Sequence, residues 1–215
     1  MDLDYTDPPS PLPPVLITTI PVGMSLWRIH SATRGAADLN PIARPRVRVG
    51  GRFDSIDGSY SYLYLGDSPA AAVGETLCRN LPVNHSPRLI PRAQIVDRVL
   101  SELRTVRPVQ VVDLTGTGAA RINAGAWLTK CDPSGYLHTR RWAAAILAAN
   151  PDVDGIQYRP RHDENTLSWM LSDSPSVSSH PAVEAVAGLI PLDCADGHYL
   201  LGTLLTAHNA ALGPI

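Results

Sequence analysis

Apolar and polar positions along the chain change period several times, and each change marks an element. Residues 26–29 (LWRI) read as a short strand, and residues 60–65 (YSYLYL) as a strand with aromatic alternation. The second strand runs into Gly66-Asp67-Ser68-Pro69-Ala70-Ala71-Ala72. A serine side chain can accept from an unpaired amide of the first helical turn, and proline suits the first helical position, so this spacing predicts a helix to about Arg79. Residues 94–103 and 109–114 are further strand candidates, joined around Arg107-Pro108. The alanine-rich stretch 139–149 stops before Asn150-Pro151, as a helix should. Residues 155–158, 166–171 and 188–192 read as short strands, and 199–211 as a closing helix. There is no internal repeat. The irregular interleaving predicts an α+β fold of small mixed sheets with flanking helices.

The chain has 215 residues, enough for one domain with a full core. Residues 1–20 open with Pro8, Pro9, Pro11, Pro13 and Pro14 and are expected to form a tail, with the folded domain covering 21–215. The acidic, proline-rich start is unlike a secretory signal, and no stretch approaches the roughly 20 apolar residues of a membrane span, so a cytoplasmic location is expected. Hydrophobic residues make up 44%, charged residues 18%, and the net charge is −2. This balance makes no electrostatic case for direct binding of nucleic acid or an acidic membrane. Lys130 is the only lysine, so 17 of the 18 basic side chains are arginine forks suited to phosphate or carboxylate. Cys78, Cys131 and Cys194 are scattered, which argues against a disulfide framework or a zinc knuckle.

Candidate chemistry is densest in Trp27-Arg28-Ile29-His30, in Gly51-Arg52-Phe53-Asp54, and in Tyr62-Leu63-Tyr64-Leu65 leading to Gly74-Glu75-Thr76. Arg28 lies between apolar neighbours, and Arg52 precedes the only phenylalanine. Glu75 falls within a helix made largely of Ala, Val and Leu, where a buried carboxylate is costly unless paired. The residues alone leave two readings open. One is a structural Arg–Glu pair between strand and helix; the other is a cleft where arginines hold phosphates and a carboxylate steadies a positive sugar carbon.

WRI at 27–29, GRF at 51–53, YLYLGDSPAAAVGET at 62–76, TRRWAAAI at 139–146 and DGIQYRPRHD at 154–163 together resemble, in order, the motifs of the RES-domain family. The resemblance spans residues 26–171. It implies a fold related to the ADP-ribosyltransferases and an enzyme that destroys NAD⁺ by hydrolysis or phosphorolysis. Such enzymes act as toxins beside a helix-turn-helix antitoxin. NAD⁺ is then substrate rather than cofactor, inorganic phosphate a possible co-substrate, and no metal is needed. By motif match, Arg28 and Arg52 hold the dinucleotide, Tyr64 flanks the nicotinamide, and Glu75 serves the ribose. Tyr62, on the same strand face as Tyr64, stands as its substitute, and His30 and Arg161 join the binding set. The sequence departs from the family where a serine is expected: Pro160 stands there, and Ser168 on the next strand is the substitute weighed for it. Two rivals follow, a transferase acting on a macromolecule and a non-catalytic module that keeps the fold.

Weaker signals are read as structural. Thr115-Gly116-Thr117-Gly118 opens like a dinucleotide fingerprint but has Arg121 at the third glycine position. His162-Asp163-Glu164 is read as a solvated loop rather than a metal site, His138 as a rim or structural residue, and Arg140-Arg141 as a solvated helix start.

Overall fold

The computed structural model describes residues 5–46, 50–82, 88–173 and 182–214. In chain order come β1 (Ile17–Ile20), β2 (Ser25–Ser31), β3 (Tyr62–Gly66), α1 (Pro69–Val73) with a π-helical turn over Gly74–Cys78, and β4 (Arg88–Ile90). Next are β5 (Arg98–Thr105), β6 (Val109–Asp113), the short α2 (Gly118–Arg121) and α3 (Trp127–Lys130), and α4 (Tyr136–Ala149). The chain closes with β7 (Gly155–Tyr158), β8 (Ser168–Ser172), β9 (Val183–Pro191), α5 (Ala195–Thr206) and β10 (Ala210–Leu212). Among the described residues the strands form one large mixed sheet in the order β1-β6-β7-β8-β3-β2-β5-β9, and a small pair β10-β4. The β6–β7 pairing is parallel and the other neighbours in the large sheet are antiparallel. The fold is α+β, as the sequence predicts.

The large sheet divides at its middle. β2 is paired with β5 along its whole length, and β3 with β8 along its own. Between β2 and β3, however, the register holds one residue couple, Trp27 opposite Gly66. Beyond that couple the two strands part, and a cleft opens between two half-sheets.

Three apolar clusters hold the layers. Trp142, Ala143 and Ile146 of α4 pack with Phe53, Ile156, Tyr158 and Met170. Leu26, Leu63, Leu65, Leu103 and Trp169 form a second cluster, and Ile29, Val73, Leu77, Leu100, Leu201 and Leu205 a third. Each fully buried side chain of this size contributes about 1.5–3 kcal/mol.

Some boundaries differ from the sequence expectation, for reasons the sequence conceals. The helix after Ser68 begins as predicted, with the Ser68 hydroxyl accepting from the Ala71 amide at 3.1 Å, but from Gly74 it widens into the π-helical turn. The expected closing helix ends at Thr206, and the chain turns to lay β10 against β4. β1 starts the sheet before Pro21, because Ile17–Ile20 find a partner in β6, far along the chain. The prolines ahead of it are also held down. Leu12 and Val15 pack on the α4 cluster, the Tyr5 ring stands 5.2 Å from that of Trp127, and the Trp142 indole donates to the Thr6 carbonyl at 2.8 Å.

Candidate active site

The cleft between β2 and β3 is lined by Arg28, Asn40, Tyr62, Tyr64, Glu75 and Arg79 among others, and its free space including the mouth is about 450 Å³. The π-helical turn carries Glu75 to its floor, a use to which such local widenings are often put.

Arg52 is aimed by a loop whose backbone is held at nearly every residue. The Gly51 amide donates to Asp54 at 2.7 Å, the Phe53 amide to the Tyr64 hydroxyl at 2.8 Å, and that hydroxyl to Asp54 at 2.8 Å. The Thr139 hydroxyl donates to the Arg52 carbonyl at 2.6 Å. Arg140 clamps the rest: Nε and Nη2 donate to the Gly51 carbonyl, and Nη1 to those of Arg44 and Arg46. A side chain at Gly51 would meet the Tyr64 hydroxyl at 2.6 Å, which explains the glycine. Arg140 is therefore buried, against the expectation of a solvated helix start, because it lies on the same α4 face as Tyr136 and Ala143. Arg141, one residue on, is exposed and pairs with Asp7 at 2.9 Å.

The Arg52 guanidinium is fully buried between the Tyr136 and Tyr158 rings, 5.6 and 5.9 Å from their centroids. It lies 3.6 Å from a Glu75 oxygen, and Nη2 donates to the Cys131 carbonyl at 3.3 Å. Burial works against the Arg52 charge, but Glu75 and the surrounding tyrosines and thiol more than offset this, and its pKa is raised. Both Glu75 oxygens, Arg52 Nε and Nη1, and the Tyr158 hydroxyl are buried without a hydrogen-bond partner. Unpaired buried polar atoms are uncommon and cost roughly 1–3 kcal/mol each. A cluster of them at a cleft floor is a place held ready for a polar group.

The remaining predicted residues divide. Arg28, Tyr62, Tyr64 and Glu75 come together on the cleft wall. Arg28 donates through Nη1 to the carbonyls of Ala36 and Asp38, at 2.5 and 2.8 Å, and burial lowers its pKa to about 10. Arg52 stands behind Glu75 with no exposed surface, so the direct grip on a ligand expected of it is not what this structure displays. The Tyr62 hydroxyl donates to the Ile42 carbonyl at 3.1 Å, and its ring meets that of Tyr64 edge-on at 6.0 Å. Burial and the Asp54 carboxylate hold the Tyr64 hydroxyl well above its usual pKa. His30 is not brought to the cleft. Its ring nitrogens are taken by the Ser31 carbonyl and, diagonally across the β2–β5 pairing, by the Ser101 hydroxyl, both at 2.9 Å. Arg161 donates to the Arg79 carbonyl at 3.3 Å. Pro160 follows β7, with its carbonyl accepting from Lys130 at 2.7 Å. The Ser168 hydroxyl is buried without a partner, directly across β7–β8 from Tyr158.

Several residues of the site escaped the sequence reading. Arg79 lines the cleft, and its Nη2 donates to the Gly50 carbonyl at 3.1 Å while its buried Nε has no partner. Burial opposes its charge, but Tyr136, Glu75 and other groups raise its pKa. Its spacing of four from Glu75 was the available signal. Asp54, Tyr158 and Arg140 were also missed as parts of the site. For Arg140 the signal was the apolar spacing of α4, which places it in the inward stripe. Asp54 and Tyr158 lie inside stretches that the sequence singles out, but nothing within those stretches marks either for a role.

Among the described residues no group of three or more His, Cys, Asp or Glu side chains could hold a metal ion, and no helix is long and apolar enough to cross a membrane.

Comparison with known proteins fits this geometry. No curated protein matches the chain. Among solved structures, the fold is similar to the M. tuberculosis MbcT–MbcA toxin–antitoxin complex, with a TM-score of 0.53 and 16% identity over 80% of this chain and 85% of that one. The sequence profile of the RES domain matches residues 25–192, which include every strand of the large sheet except β1, the Arg52 loop and the π-helical turn. The chain belongs to the RES-domain family.

Proposed function

We propose that this protein consumes NAD⁺ by breaking the nicotinamide–ribose bond, with water or inorganic phosphate as acceptor, and that it is the toxin of a toxin–antitoxin pair. The observation that carries this reading is the buried Glu75 carboxylate, neither oxygen hydrogen-bonded, at the floor of an arginine- and tyrosine-walled cleft. When the bond breaks, its electron pair returns to the pyridinium nitrogen, nicotinamide leaves neutral, and positive charge builds on the sugar carbon. A nearby carboxylate stabilises that charge, as in glycosidases, and can hold the ribose hydroxyls. The acceptor oxygen then bonds to the sugar carbon and gives up its proton.

The side chains take distinct parts. Arg28 and Arg79 face the cleft and suit the pyrophosphate, with Arg161 at its rim through the Arg79 backbone. The Tyr64 and Tyr62 faces suit the cationic nicotinamide ring. Arg52, behind Glu75, sets the carboxylate and tempers its charge. The likeness to a toxin solved with its antitoxin supports a protein partner, which we take to be a helix-turn-helix antitoxin, in the cytoplasm where NAD⁺ is abundant.

Purified protein mixed with NAD⁺, with and without phosphate, tests this reading. Release of nicotinamide is expected, and the ribosyl product identifies the acceptor. The same chain expressed alone should deplete cellular NAD⁺ and slow growth. Pro160, which offers no hydroxyl, favours a second reading as a non-catalytic module. Stable NAD⁺ and normal growth at high expression would select it. Label from NAD⁺ appearing on a macromolecule would select the transferase instead.

A further inference from the structure

Buried tyrosine hydroxyls in this molecule are consistently employed. Tyr60 donates to the Phe53 carbonyl at 3.0 Å, Tyr62 to the Ile42 carbonyl at 3.1 Å, Tyr64 to Asp54 at 2.8 Å, and Tyr136 to Asn80 at 3.5 Å. Among the described residues, Tyr158 alone of the buried tyrosines has a hydroxyl without a partner. Its ring is fully buried, edge-on to Phe53 at 5.1 Å and facing the Arg52 guanidinium. The hydroxyl is buried without a hydrogen-bond partner, yet close enough to the Glu75 carboxylate that burial first, and then the charge and hydrogen-bonding reach of Glu75, push its pKa well up. It therefore stays protonated, and a donor, at neutral pH. Both oxygens of the neighbouring Glu75 carboxylate are unsatisfied acceptors, and each missing bond is costly in so dry a place.

We infer that Tyr158 is a positioning residue for Glu75: when substrate fills the cleft, its hydroxyl donates to one carboxylate oxygen, Arg52 supports the other side, and the carboxylate is fixed with its remaining lone pairs toward the ribose. This rests on the NAD⁺-consuming reading and adds a residue to it. Tyr158 does not touch the reacting atoms. It narrows the orientations of the group that does, and an angular error at a charged group is expensive in turnover while scarcely felt in ground-state binding.

The test is Tyr158→Phe, which removes the hydroxyl and keeps the ring that packs on Phe53 and Arg52. It is made in the full-length chain, both alone and combined with Glu75→Gln. NAD⁺ consumption, KM and melting temperature are measured on the same preparations. We expect kcat to fall about tenfold, the size of a lost hydrogen bond to a charged group, with KM within about twofold and melting little changed. In the Glu75→Gln background the same change should cost little or nothing further, because the oriented charge is already gone. A hydroxyl that serves packing alone would lower the melting temperature and reduce turnover by the same factor in both backgrounds; that result overturns the assignment. So does wild-type turnover in Tyr158→Phe while the parent consumes NAD⁺, and then the functional reading stands without Tyr158. A folded parent that leaves NAD⁺ intact overturns both.

Discussion

Arg107 and Asp154 form an ion pair in which both carboxylate oxygens are used. Arg107 Nη1 and Nη2 donate to them at 3.0 and 2.5 Å, and the Gln110 amide adds a bond at 2.8 Å. The hydrogen bonds that Arg107 donates to Asp154 are the main reason that its pKa is raised. Arg52 and Glu75 are equally opposite in charge and more deeply buried, yet they approach only to 3.6 Å and leave both carboxylate oxygens without a hydrogen bond. The first pair ties the chain ahead of β6 to the start of β7, and neither of its carboxylate oxygens is left without a bond. The second stands at a cleft floor in an unfinished state, and folding alone gives no reason to keep it so. A fold retains a costly, half-satisfied charge where something else uses it.

Glu75→Gln and Asp154→Asn should break the comparison most sharply. The Glu75 change keeps shape but removes charge, so NAD⁺ turnover should drop by roughly 10²-fold or more, with a small shift in melting temperature. The Asp154 change removes acceptors from a satisfied network and should cost about 2 kcal/mol of stability, with turnover per folded molecule unchanged. Melting curves and turnover on both variants decide it. A folded Glu75→Gln protein with near wild-type turnover would reduce the Arg52–Glu75 pair to a second structural bridge.

Arg52→Lys gives a smaller effect of the same kind. Lysine keeps the charge but loses the planar fork held between two tyrosine rings and the Cys131 carbonyl. About a tenfold loss in kcat/KM is expected, or about 1.4 kcal/mol, and it should fall mainly on kcat because Arg52 is hidden behind Glu75. A loss confined to KM would show instead that Arg52 reaches the substrate.

Tyr64→Phe separates the wall from its support. The hydroxyl bridges Asp54 and the Phe53 amide, whereas the ring faces the cleft. Stability should fall by about 1 kcal/mol while NAD⁺ affinity stays within about threefold. Unchanged melting together with a large loss of affinity would reverse those roles.

How much of this was legible in the chain follows from how local each cause is. Ser68-Pro69 announces α1 because a cap acts within one turn, and the strand before it, α4 and β7 announce themselves by periodicity. Glu75 is marked by its apolar surroundings alone. β1, β4 and β10 are invisible because each depends on a partner far along the chain. The split between β2 and β3 is likewise a property of pairing that no single strand carries. Neighbouring Arg140 and Arg141 show the limit well. They are identical in type, yet one is buried against loop carbonyls and the other lies on the surface with Asp7. Tyr158 reads as one more aromatic in a strand, and only its buried, unpartnered hydroxyl distinguishes it.

The smallest expected effect lies on the loop after β7, where His162 offers a further unpaired buried atom, Nε2, but no carboxylate partner. Burial first, then the charges of Arg161, Arg88 and His208, lower its pKa to about 4. His30 and His208 are shifted the same way, again chiefly by burial. A histidine with a depressed pKa binds its proton more weakly folded than unfolded. Its contribution to stability is therefore present above about pH 6.5 and is lost as pH falls toward and through 4. Because His162 is only partly buried, solvent screening leaves about 1 kcal/mol of that dependence rather than the full shift. Melting temperatures of wild type and His162→Asn, taken from pH 7.5 down to 4.5, should converge or cross as the pH falls. A constant gap across the range would mean that His162 carries no proton-linked stability.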